Sequence, residues 1–442
     1  MEDMSMRIRA PSVSPASITD QWRRRAAFFT FGLTNNGPYV VILAAALELL
    51  PKSVPTGVLL FVNIAPALVG KAVFPYLLKG EIQYGKRVAL CTALAFCGMI
   101  IIATFESLTM RLFGIALASF SSGVGEVTYL QYTTRLRRDL SSQCVGHFAS
   151  GTGAAGLLCA FAWWLVRPLG VKTGITLLSV LPLGMAFGYF VLLPAIDEQS
   201  SRNTASSSVK VSLSFDHKMR LLRPMLFPYV LPLVTVYFAE YTINQGVAPT
   251  LLYPVPSPER HPLLALLIHS LRDYYPLYQL VYQAFVFCSR SYTSLTPLAP
   301  IPKKWLWSPA IVQVLLLALL STESVYAWFK KSIASPLVIV LVACEGLAGG
   351  AAYVSVMSRL SVLGKNSAYT PLATEDTEND NENDNDADVK AELEAQAQEF
   401  QIGCVGLADT FGILVASLVS IPLQLILCRL QVGRGRDLCT RV

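Results

Sequence analysis

Residues Ile115 to Leu136 read IALASFSSGVGEVTYLQYTTRL, and 224 positions later Ile339 to Leu360 read IVLVACEGLAGGAAYVSVMSRL. Aligned without a gap, the two stretches agree at Ile, Leu, Gly, Tyr, Arg and Leu. The next apolar run in each place opens on the same tripeptide, Cys144-Val145-Gly146 and Cys404-Val405-Gly406. As helices, segments of this length rise about 33 Å, enough to cross a hydrocarbon core of roughly 30 Å. An offset of about half the 442-residue chain predicts two related helical halves running in the same direction, as in transporters built from parallel repeats. Six agreements between apolar windows also arise by chance, so the order of the elements carries more weight than the identities.

Working outward from these segments, apolar runs of similar length recur from Ala26 nearly to the C-terminus. The chain is 53% hydrophobic and 14% charged, against roughly 25% charged in soluble globular chains, so its apolar residues do not fit one aqueous core. Where no water satisfies the backbone, helices or closed barrels are the options, and unbroken apolar runs exclude strand alternation. The expected fold is an all-α polytopic membrane protein of about eleven spans in two bundles, six and five. The spans predicted are Ala26–Leu50, Pro55–Leu78, Lys86–Thr104, Leu108–Gln131, His147–Val166, Thr173–Pro194, Met225–Val247, Tyr274–Cys288, Trp305–Val325, Pro336–Met357 and Ile402–Leu427, the eighth being the shortest.

The parts between and beyond the bundles differ in composition. Residues 1–25 form a polar, basic tail in which no cleavable signal peptide is expected. The first bundle occupies 26–194 and the second 225–428, with 429–442 as a C-terminal tail. Between the bundles, 195–224 is a Ser-rich, basic linker. Thr374 to Glu399 holds eleven acids and one Lys, a composition that predicts a disordered, solvated tether. With the N-terminus in the cytosol, the cytosolic loops carry about twice as many Lys and Arg as the opposite ones, the bias expected of that orientation.

Signatures of soluble enzymes are missing: there is no HExxH, GxSxG or paired CxxC, and the four His residues are scattered. No catalytic residue, metal or cofactor is therefore expected. Gly80 to Lys86 spells G-x-x-x-x-G-K, but Arg87 stands where a P-loop needs Ser or Thr, and no strand precedes it. Gly85-Lys86-Arg87, between the second and third spans, instead resembles the tail of the loop motif of major facilitator transporters. Seven of the nine cysteines, Cys428 among them, fall in or beside apolar runs and read as small hydrophobes. The ending Cys439-Thr440-Arg441-Val442 is a poor prenylation box.

Charges inside the spans say more. Each costs roughly 2.5 to 3.5 kcal/mol at a helix centre on insertion scales, so something must offset it. Glu48 and Arg111 lie within about a turn of a span end, where snorkelling to the interface suffices. Glu345 and Glu240 lie deeper and are expected to face a cavity, where a carboxylate shielded from water can load and release a proton. Glu126 and Asp409 come next, with Lys71 as the deep base available to pair with them. Backbone breakers lie nearby: Asn35-Asn36-Gly37-Pro38 is expected to interrupt the first span, and the GTGAAG run with Gly151 and Gly153 gives span five a face for close packing or solute access.

NNGPYV from Asn35, GVGEVTYL from Gly123, SGTGAAGLL from Ser150, EYTINQGV from Glu240, YQLVYQAFVFCSRS from Tyr278 and EGLAGGAAYV from Glu345 together resemble the battenin family of lysosomal and vacuolar membrane proteins. The resemblance runs from about Asn35 to the last span. It implies a major-facilitator-like fold in the vacuolar membrane and a role in vacuolar transport, vacuolar pH homeostasis and basic amino acid balance, with relatives tied to clearing glycerophosphodiesters. Glu126, Gly151, Gly153, Glu240, Asn244, Gln245, Arg290 and Glu345 sit in the matching motifs.

The expected partners are membrane lipids, protons and a small solute, a basic amino acid or a glycerophosphodiester, and no nucleic acid. Tyr369-Thr370-Pro371-Leu372 is a candidate sorting motif for a cytosolic adaptor, with Tyr369 and Leu372 as its reading points. A non-transporting scaffold or trafficking regulator is the alternative function.

Overall fold

The computed structural model describes residues 15–77, 83–133, 136, 138–194, 215–259, 261–295, 299–366 and 384–441. Among them every regular element is helical. The first half contains α1 (Pro15–Ala44), α2 (Ala46–Leu49), α3 (Thr56–Leu77), α4 (Tyr84–Thr104), α5 (Leu108–Thr133), α6 (Arg138–Val166), α7 (Val171–Leu178) and α8 (Leu183–Phe187). The second contains α9 (Phe215–Met225), α10 (Leu231–Thr242), α11 (Pro262–Leu267), α12 (Tyr274–Leu295), α13 (Ser308–Tyr326), α14 (Ala334–Asn366) and α15 (Asp384–Val432).

Eight helical stretches among the described residues are long and apolar enough to cross a membrane, and Thr56–Ala72 is a shorter apolar one. The first and eighth predicted spans do not join that set. Their helices are diluted by Arg23 to Arg25, Asn35 and Asn36 in α1, and by tyrosines and glutamines in α12. In α12 those polar groups face the protein: Tyr274, Tyr275, Tyr278 and Gln279 are all buried. Chain direction alternates from helix to helix, which defines a near face, where α1 begins, and a far face, where it ends.

Close packing within the first half rests on glycine. A Cβ at Gly32 or Gly151 would run into the facing backbone of α6 or α1, and one at Gly98 or Gly114 into that of α5 or α4, so these pairs approach as small-residue faces do in membranes. Lipid-facing surfaces are apolar, with Leu158, Phe161 and Leu165 on α6 and Ile311 and Leu315 on α13 exposed. Buried large side chains such as Trp163, Leu59 and Tyr278 fill the interior.

Four expectations need correction. Asn35 to Pro38 does not interrupt the first helix, which runs unbroken through Pro38 to Ala44. The eighth span is not short, since α12 continues to Leu295. Asp384 to Glu399, expected to be a disordered tether, begins the 49-residue α15. Its Ala, Glu, Gln and Lys are strong helix formers, a local preference that overall charge does not reveal. Finally, Cys428 is not only a small hydrophobe: it forms a disulfide with Cys439, because the chain turns back after α15 at Gly433 and Gly435, the latter with φ of 77°. Tyr369 and Leu372, like Ser200 to Ser214 of the linker, lie outside the described residues.

Candidate functional site

Two polar clusters occupy the interior. The first is built in the second half, where α10 ends in a wide π-helical turn, Ile243–Val247, followed by a 3-10 turn, Ala248–Thr250. Such turns often mark functional sites because they redirect side chains and free backbone groups. Here the turn points both Asn244 and Gln245 inward, where they are buried.

Asn244 is the hub of this cluster. Its Nδ2 donates to Glu345 Oε1 at 2.8 Å, and its Oδ1 accepts from Gln279 Nε2 at 3.0 Å. Glu240, one turn back, accepts from the Tyr282 hydroxyl and, more distantly, from Gln313 Nε2 at 3.5 Å. Gln313 also donates to the backbone oxygen of Glu345 at 2.8 Å. Gln245 accepts from Tyr275 at 3.0 Å. Glu240 and Glu345 are 2% and 0% exposed, and among the described residues no Lys, Arg or His lies within 4 Å of either. One oxygen of Glu345, one of Gln313 and the Gln245 amide nitrogen lack a hydrogen-bond partner. Unmet buried polar atoms of this kind are rare in native interiors and mark strain, chemistry or a missing guest.

The second cluster spans both halves toward the near face. Lys71 on α3 and Glu126 on α5 form an ion pair at 2.8 Å, with side chains 21% and 35% exposed. Asp409 on α15 lies within electrostatic reach of both but is not within ion-pair distance of Lys71, and its carboxylate accepts from Thr410 at 3.0 Å. Arg290 on α12 is half-buried. Its guanidinium lies 4.5 Å from the ring centre of Tyr353 and donates to the Tyr237 hydroxyl at 3.1 Å. Its Nε has no partner, and among the described residues no carboxylate neutralises it within 4 Å.

The site residues expected from the sequence therefore separate. Glu240, Glu345, Asn244 and Gln245 share one network, while Lys71, Glu126, Asp409 and Arg290 belong to the other. Gly151 packs against the α1 backbone, whereas nothing lies within 4 Å of a Cβ at Gly153. Tyr282, Gln279, Gln313, Tyr237 and Tyr353 complete the two clusters, and nothing in the sequence singles them out individually, since a Tyr or Gln in a span carries no charge.

A third group departs from expectation at Glu48. Glu48 does not snorkel: its Oε1 accepts from Arg167 Nε at 2.6 Å, and Arg167 Nη1 reaches Asp273 Oδ1 at 2.5 Å. The side chains of the three are 10 to 16% exposed. Arg111 donates to the carbonyls of Phe105 and Leu49, each at 2.9 Å.

The family profile described as CLN3 protein matches residues 26–208 and 195–430 of this chain. Protein BTN1 of Mycosarcoma maydis is 49% identical over 482 aligned residues, covering 95% of this chain and 88% of that one. Protein BTN1 of Cryptococcus neoformans var. neoformans serotype D is 39% identical, covering 94% and 95%. Among solved structures, the nucleoside transporter NupG aligns with a TM-score of 0.51 at 12% identity, covering 95% of this chain and 97% of that one. A mutant of it reaches 0.54 at 13%, covering 96% and 98%. Identity this low shows a shared fold and nothing of the solute.

Proposed function

Because this chain belongs to the CLN3 (battenin) family and has a transporter fold, we propose that it moves a small solute across the vacuolar membrane with a proton as the coupling ion. The observation that carries this reading is the pair Glu240 and Glu345, joined through Asn244 and Gln313, with no Lys, Arg or His within 4 Å of either carboxylate among the described residues. Two carboxylates enclosed this way change charge by gaining or losing a proton, and any change reaches both through the shared amides. The π-helical turn beside them gives the network backbone freedom that a continuous helix lacks.

The second cluster would hold the solute. Arg290 has no carboxylate within 4 Å among the described residues, so an anionic group of the solute belongs there, and Glu126 and Asp409 offer acceptors for a basic one. A basic amino acid presents both charges, and a glycerophosphodiester presents the anion. Flux of either kind would bear on vacuolar pH and basic amino acid content. The charge bias of the loops favours a cytosolic near face.

The test is uptake into proteoliposomes by purified protein. Glu240→Gln and Glu345→Gln keep shape and hydrogen bonding but remove titration. In at least one of them a pH gradient should no longer drive accumulation, while solute exchange at equal pH survives. Normal gradient-driven uptake in both would exclude these residues from coupling. A chain that moves none of these solutes under any gradient would instead favour the scaffold reading.

A further inference from the structure

Several of the hydrogen bonds and one ion pair that tie the two halves together among the described residues share one location. The Tyr275 hydroxyl donates to Leu43 O at 3.2 Å, Thr56 N to Gln424 Oε1 at 2.8 Å, Thr56 Oγ1 to Gln245 O at 2.5 Å and Lys52 Nζ to Arg441 O at 2.7 Å. Arg167 adds the ion pair to Asp273. These groups gather at the end of α1, the start of α3, the end of α6, the start of α12 and the last turns of α15, which places every one of them toward the far face. Toward the near face Lys71 stays within its own half, paired with Glu126 rather than Asp409. Among the described residues, these ties thus fasten the two halves at the far face.

Among these ties the Arg167 pair is built to open. Arg167 has one acid from its own half, Glu48, and one from the other half, Asp273. Asp273 in turn has a second set of partners: its Oδ2 accepts the backbone N–H groups of His269 at 2.8 Å and Ser270 at 2.7 Å. With Ser270 it closes a capping box on the short turn that leads into α12. When the halves part, Arg167 keeps Glu48 and Asp273 keeps two donors. Neither charge is left bare, so the large penalty for stranding one partner of an enclosed ion pair does not arise.

We propose that the Arg167–Asp273 pair is the latch of the far-face gate, made when that face is shut and broken when it opens. The proposal rests on the transporter reading, since a latch has meaning only if the halves rock against each other. The gate-forming carboxylate is Asp273; Glu48 is a positioning residue that aims Arg167 and keeps it neutralised throughout the cycle.

Pulsed electron paramagnetic resonance on the full chain in lipid nanodiscs tests this without any solute. The seven free cysteines are replaced, and spin labels are placed on Leu169→Cys with Leu263→Cys at the far face, or on Trp22→Cys with Trp305→Cys at the near face. All four positions are exposed. Asp273→Asn is the main variant, because Asn retains an oxygen for the capping box. Arg167→Lys, which keeps the charge but not the two-pronged geometry, guards against misfolding in the first. A rise of about tenfold in the population at the longer far-face distance is expected in Asp273→Asn, with a matching gain of the shorter near-face population, as for a two-state shift. Glu48→Gln should shift both distances less.

Far-face distances unchanged in both Asp273→Asn and Arg167→Lys, in a chain whose distances still respond to pH or added solute, would overturn the latch alone. One fixed distance at each face in the parent and every variant, whatever is added, would overturn the latch and alternating access together.

Discussion

Gly349 lies directly against the carboxylate of Glu240: a Cβ at that position would collide with its Oε2 and its carboxyl carbon. The symmetry-related Gly125 stands in the same relation to Asn35 Oδ1. In each half, then, a glycine on the fourth long helix admits a polar side chain from the first. Asn35 uses its place structurally, donating to Ser122 O at 3.0 Å, whereas Glu240 brings a titratable group. The two halves thus differ at a position where chemistry is expected.

Gly349→Ala should therefore push Glu240 out of the network. The expected loss is about 1 to 3 kcal/mol, as for overpacking, offset by somewhat under 1 kcal/mol of improved helix propensity. Thermal stability in detergent should fall modestly while gradient-driven uptake falls sharply. Gly125→Ala should lower stability by a similar amount without singling out proton coupling.

Arg290→Gln should weaken solute binding more than it weakens folding. Losing a charge-assisted contact is worth about 1.5 to 3 kcal/mol, roughly 10- to 150-fold in apparent affinity for an anionic solute. Arg290→Lys should recover part of this, because the charge remains while stacking on Tyr353 is lost. Concentration dependence of uptake, at matched amounts of folded protein, is the measurement.

Lys71→Met leaves Glu126 and Asp409 without their base. A fully enclosed pair broken this way costs about 3 to 5 kcal/mol, but Glu126 is 35% exposed, so solvent screening should hold the loss nearer about 1 to 2 kcal/mol. The double change Lys71→Met with Glu126→Gln should be more stable than Lys71→Met alone, as read by chemical denaturation in detergent.

The far-face latch should tolerate acid. Burial acts to raise the pKa of Asp273, but hydrogen bonds from Arg167 and from the backbone of His269 and Ser270, with the Arg167 charge, hold it below the usual 3.8. A carboxyl held low contributes stability that is complete above its ordinary range and lost only as pH falls through the lowered value. Far-face distances should thus stay constant from neutrality down to about pH 5 and lengthen only well below that. Loosening between those limits would assign the acid sensitivity to another group.

The fold was legible because the bilayer imposes a length and an apolarity that any reader can measure in the chain. Glu240 and Glu345 were legible for the same reason: a charge inside an apolar run stands out. The latch was not, since Arg167 and Asp273 sit where spans end and charges are ordinary, and 106 residues separate them. Asn244 was found only through its motif, because the turn that points it inward leaves no mark in composition. Asn35 to Pro38 misled in the opposite direction: the local signs of a break are present, yet surrounding helices hold α1 continuous.

The length of α15 has a mechanical consequence. Its apolar stretch is Gly406–Val432, so the 22 residues from Asp384 to Val405 extend about 33 Å beyond the near face at 1.5 Å per residue. A rigid rotation of about 15° would carry the N-terminal tip of this helix through roughly 9 Å, while side chains near the pivot move far less. Under the rocking motion proposed above, the last helix is a lever arm that makes a small tilt within the lipid readable at its tip.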